Sequence, residues 1–76
     1  MPTVLRSRGY AVFFFSHEGN EPAHMHVRKG DGIAKCWLGP VRLAYSEGFK
    51  EQELRAILKL LAEHEAELIR AWHEIE

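Results

Sequence analysis

The residues best suited to chemistry stand together in Glu21-Pro22-Ala23-His24-Met25-His26-Val27-Arg28. Side chains alternate between two faces along a strand, so this segment sends Ala23, Met25 and Val27 one way and His24, His26 and Arg28 the other. Two imidazoles two residues apart on one face can chelate a divalent metal. Alternatively, one can act as general acid or base while Arg28 stabilises an anion. A metal needs at least a third ligand, and His17, Glu18, Glu21 and Cys36 are the candidates, with no spacing that selects among them. The same residue types also suit the wet face of a half-exposed antiparallel sheet. No cofactor other than such a divalent metal is called for.

Carried into the segments that follow, alternation sets Lys35 and Trp37 opposite Ala34, Cys36 and Leu38, and sets Arg42 opposite Val41, Leu43 and Tyr45. With Ala34, Cys36 and Leu38 packed on Met25, Val27, Leu43 and a helix, the far face collects His24, His26, Arg28, Lys35, Trp37 and Arg42. Such a face has the chemistry of an RNA-binding or RNA-cleaving surface. His24 or His26 would serve as base or acid, Arg28 and Arg42 would hold phosphate, and Trp37 would stack on a base, with Lys35 a further cation of the nucleic-acid-binding face. The competing reading is an interface: Trp37 and one side of Phe13-Phe14-Phe15 would meet a second copy or another protein. Cys36 reads as a small core residue, reactive only if its thiolate were stabilised. Removal of Met1 would expose Pro2 as a secondary amine, but the chain lacks the repeated βαβ order of a tautomerase.

These residues must be positioned by short strands. Gly, Pro, Asn and Asp divide the first 49 residues into runs at 3–6, 10–16, 23–29, 33–38 and 41–45. Their order predicts an antiparallel meander of four to five strands. From about Lys50 the period changes, and Leu54, Ile57, Leu58, Leu61, Leu68, Trp72 and Ile75 recur at three- and four-residue steps. No Gly or Pro interrupts them. The expectation is one long C-terminal amphipathic helix, giving an α+β fold in a single domain over 1–76, with the sheet in 1–46 and the helix in 49–76. Glu65 falls where the series wants an apolar group, so the stripe shifts, the helix ends or bends near His64, or Glu65 faces a partner. Trp72 either closes the end of the core or projects past the sheet as a contact.

A chain of 76 residues holds one modest core, and its single Cys36 excludes an internal disulfide, which raises the value of a metal or a partner subunit. Residues 1–49 carry six basic side chains against four acids, and residues 50–76 carry seven acids against four bases. That balance argues against a strongly basic nucleic-acid tail yet permits a local basic face. No apolar run reaches membrane-span length and the first residues lack a secretory apolar core, so no membrane association is expected and the cytoplasm is the default compartment.

The segments MPTVLR, GY-x-VFFFS, EP-x-H-x-H-V, AK-x-WL, P-V-x-L and GF-x-x-x-EL, in that order, resemble a family of small bacterial proteins known as domain of unknown function 4160. The likeness spans nearly the whole chain, and EPAHMHV and AKCWL are its most specific parts. It implies no activity. It does imply a context in which such proteins are often encoded beside a domain of unknown function 2442 protein, in an arrangement like a toxin-antitoxin pair. The partners expected on this reading are a second copy or that small operon neighbour, with RNA as the target of a toxin-like member. Family members often carry Ser or Thr where this chain has Lys50, so the helix cap that such a residue would form with Glu53 is missing here.

Overall fold

The computed structural model describes residues 3–15 and 21–75. Five strands, β1 (Thr3–Ser7), β2 (Tyr10–Phe13), β3 (His24–Lys29), β4 (Gly32–Trp37) and β5 (Arg42–Glu47), precede α1 (Glu51–Glu63) and α2 (Glu65–Ile75). The strands pair antiparallel in sequence order, which is the expected meander. β1 and β2 are joined by Arg8 at φ 52 and Gly9 at φ 86, a two-residue loop whose left-handed backbone matches strand twist. That loop fixes Ser7 opposite Tyr10 and therefore Arg6 opposite Ala11.

One face of the sheet builds the core. Val12, Met25, Val27, Ala34 and Cys36 are fully buried beneath Ile57, Leu60 and Leu61 of α1 and Leu68 and Trp72 of α2. Each large apolar side chain enclosed this way contributes about 1.5–3 kcal/mol. Phe49, between β5 and α1, lies over Gly32, where an added Cβ would stand 2.5 Å from the ring. Gly32 is thus the point at which the chain leaving the sheet can press close to β4. At the start of α1 the Glu53 carboxylate accepts the Lys50 N–H at 2.9 Å. Only this half of a capping box is chemically available, because an ammonium offers no acceptor to the helix.

The expectation of one long helix is wrong: the C-terminal segment is two helices that part at His64. Continuing the period of Leu61 by four residues would drive Glu65 into the core, at the desolvation cost of a buried carboxylate. Instead the last turn of α1 tightens, with the His64 N–H donating to the Leu61 carbonyl at 3.2 Å, and α2 begins with Leu68 N–H donating to His64 O at 3.0 Å. The break lets Glu65 Oε2 accept the Gly39 N–H at 2.9 Å, tying the helix junction to the turn between β4 and β5. Glu65 and Glu67 then sit in the first turn of α2, where the helix dipole favours acids. Leu68 and Trp72 return to the core, so Trp72, at 4% exposure, is a packing residue and not a projecting contact. No helix among the described residues is long and apolar enough to cross a membrane.

Candidate functional site

Register places His24, His26, Arg28, Lys35, Trp37 and Arg42 on one sheet face, opposite the core. Three cross-strand rows define it: His24, Trp37 and Arg42; Phe13, His26, Lys35 and Tyr45; and Ala11, Arg28, Ile33 and Glu47. Tyr45 is a correction, since simple alternation set it with Leu43 on the other side. A bulge in β5 leaves Ala44 unpaired between Leu43, opposite Cys36, and Tyr45, opposite Lys35. One extra residue moves every later side chain to the other face.

The two histidines are held within an aromatic cluster. His24 is fully buried, its Nδ1 donates to the Pro22 carbonyl at 3.0 Å, and Glu21 Oε1 lies 3.6 Å from that nitrogen. Its ring meets Trp72 at 4.8 Å, His26 at 5.3 Å and Trp37 at 5.7 Å. His26 stacks on Phe13 at 5.5 Å and takes the edge of Phe15 at 4.9 Å. The run Phe13-Phe14-Phe15 explains the arrangement, because Phe14 turns to Trp72 at 5.4 Å while Phe13 and Phe15 turn to His26. Of the readings open to these histidines, the wet sheet face fails for His24, which is fully buried.

The cations share the face without converging on the histidines. Lys35 pairs with Glu21 at 2.9 Å and lies 4.8 Å over the Trp37 ring. Arg28 and Arg42 are exposed but stand at opposite ends of their strands. Strand rise and spacing put their backbones about 16 Å apart. Arg28 is instead neighbour to Arg6, across Ala11, a residue whose role the sequence reading missed. The signal was present in the Arg8-Gly9 loop, which sets the register of β1. A shallow depression of about 330 Å³ lies here, lined by Thr3, Arg6, Ala11, Phe13, Arg28 and Lys29 among others.

Cys36 lies on the core face with Met25, so it cannot join the histidines in binding a metal. Burial pushes its thiol up to about 11, the behaviour of an inert packing residue. Among the described residues no three of His, Cys, Asp and Glu stand close enough to hold a metal ion. Pro2, His17, Glu18 and the Ile75 side chain lie outside the described residues.

A family model described as domain of unknown function (DUF4160) matches residues 9–73. The chain belongs to this family. The DUF4160 match runs from the β1–β2 loop into the last turns of α2, so it covers both histidines and Arg28 and leaves Arg6 outside. No curated protein and no solved structure matches the chain.

Among the described strands of this DUF4160 fold, β5 is the most open. None of its residues belongs to the buried core, which draws on β2, β3, β4 and the helices. Leu43, on the helix side, is 38% exposed and Tyr45, on the other, is 50% exposed. The Glu47 carboxylate holds the Tyr45 hydroxyl above its ordinary pKa. Arg42 and Glu47 close the two ends of the strand with opposite charges.

Proposed function

We propose that this protein is a non-enzymatic interaction module that pairs with a second copy of itself along β5. The observation that carries the reading is a terminal strand of the sheet with apolar side chains uncovered on both faces, Leu43 on one and Tyr45 on the other. An edge strand also offers unpaired N–H and C=O groups to a partner strand. Edge bulges often discourage association. Here the Ala44 bulge is what turns Leu43 and Tyr45 to opposite sides, so that a partner strand meets apolar surface on each. Antiparallel two-fold pairing would bring Arg42 toward Glu47 of the partner subunit, an attractive contact in both directions. A net charge of −1 opposes such pairing little, and a 76-residue chain without an internal disulfide gains stability from a partner. An RNA-cleaving reading would need His24 or His26 to reach a substrate, whereas the His24 ring is enclosed by Trp37, Trp72 and His26 and tied to the Pro22 carbonyl, and the His26 ring packs against Phe13 and Phe15. A non-enzymatic reading asks nothing of either but packing.

Light scattering across a concentration series tests this. The expected mass is twice the 8.8 kDa of the chain, and Leu43→Lys with Tyr45→Lys should return it to the monomer without changing the far-ultraviolet circular dichroism. A monomeric mass for the unaltered protein at every concentration would overturn self-pairing. Such a result would pass β5 to a different protein, of the neighbour-encoded kind that the family resemblance implies.

A further inference from the structure

We propose that the sheet face at β1–β3 holds a nucleotide, with its phosphate between Arg6 and Arg28 and its base against Phe15 and Ile33. The site centres on β1–β3 and reaches β4 at Ile33, the cross-strand neighbour of Glu47 in β5, and it does not require self-pairing.

Arg6, Ala11 and Arg28 form one cross-strand row, so two guanidinium groups flank a position of β2 that carries only a methyl group. Two strand spacings separate the arginine backbones by about 10 Å, a gap that two arginine side chains can close on one tetrahedral anion. Both arginines are exposed, and neither ion-pairs with a described carboxylate; ion pairs among the described residues include Glu21 with His24 and Lys35, Glu51 with Arg55, and Glu67 with His64. The depression over Ala11 is lined by no acid. Lys29 and Thr3 also line it, with the Lys29 ammonium held 4.7 Å over the ring of the core residue Tyr10.

A second depression of about 400 Å³ adjoins the first, and the two share Phe13, Arg28 and Gly30 as their common wall. The second is lined by Phe15, 42% exposed, and Ile33, 37% exposed, with Asp31 at its edge. Cationic and apolar hollows side by side match the two ends of a nucleoside phosphate. Asp31 lines the second depression and not the first, so it can accept a hydrogen bond from a ribose hydroxyl or a base amino group without facing the phosphate hollow. Stacking on an aromatic ring is tolerant of base identity, so the geometry commits to a nucleoside phosphate and not to a particular base. The same unit occurs free or within a single strand of RNA.

The test is equilibrium binding at low salt with three probes: inorganic phosphate, adenosine monophosphate and a single-stranded oligoadenylate. Adenosine monophosphate should bind at least about tenfold tighter than phosphate, because the base adds its own contact. Arg6→Ala and Arg28→Ala should each weaken adenosine monophosphate about tenfold or more, as loss of a charge-assisted bond does. Ala11→Leu should weaken it similarly by filling the gap with no change of charge, and Phe15→Ala should remove the advantage over phosphate while leaving phosphate binding unchanged. Arg70→Ala, on the exposed side of α2, should have no effect. Tighter binding of the oligomer assigns the ligand to RNA strands, and equal binding assigns it to free nucleotides; either supports the site. Equal affinity for phosphate and adenosine monophosphate, or equal losses from Arg70→Ala and Arg6→Ala, would overturn it. So would no binding of any probe.

Discussion

Replacing Glu65 by alanine should cost this small fold about 1.5–2 kcal/mol. The carboxylate accepts the Gly39 N–H at 2.9 Å, and it is half-buried, so the loss lies toward the lower end of the roughly 1.5–3 kcal/mol range for hydrogen bonds to charged groups. Removing an acid from the first turn of α2 adds about 0.3–1 kcal/mol. The higher helix propensity of alanine returns a few tenths. In a chain of 76 residues each kcal/mol moves the midpoint by about 4–8 °C, so Tm should fall by roughly 6–16 °C. Thermal and urea unfolding followed by circular dichroism would read the change, and hydrogen exchange at the Gly39 amide would locate it. Glu65→Gln keeps an acceptor without its charge and should lose about half as much. A Glu65→Ala protein within about 0.3 kcal/mol of the original would refute the argument that this contact holds the junction between the helices and the β4–β5 turn. Unchanged exchange at Gly39 would do the same.

Gly32→Ala should destabilise by about 1–3 kcal/mol, since its Cβ would meet the Phe49 ring at 2.5 Å, and most of that loss should vanish in a Phe49→Ala background. Denaturation midpoints of the four proteins would show it, and equal losses in both backgrounds would contradict the contact. The Cys36 thiol, raised from 9.0 to about 11 by burial, should resist thiol reagents at neutral pH until the protein unfolds. Because the unfolded chain gives up this proton first, stability should be unaffected below about pH 9 and fall as pH rises toward 11, by at most about 1.4 kcal/mol per pH unit. Cys36→Ala should flatten that slope in urea unfolding between pH 8 and 11, and an unaltered slope would assign it to other groups.

Local pattern carried much of this fold. Alternation in Ala23 to Arg28 separates Met25 and Val27 from His26 and Arg28, as the core and far faces of β3 do in the structure, whereas His24, set by alternation with the far face, is fully buried. Gly-containing loops mark the hairpins, and the three- and four-residue spacing of Leu54 to Trp72 marks helix. These signals need only neighbours along the chain: steric alternation, left-handed loop residues and amphipathic period. What only tertiary structure decided lies where two distant segments meet. The break at His64 depends on Glu65 finding the Gly39 amide, and the burial of His24 depends on Trp72 arriving from α2. The side taken by Tyr45 depends on a bulge that only pairing with β4 reveals, and the meeting of Arg6 with Arg28 depends on the register of three strands. Periodicity along a strand determines which side chains share a face, but what covers that face and which neighbour stands beside each residue are set by contacts between segments far apart in sequence.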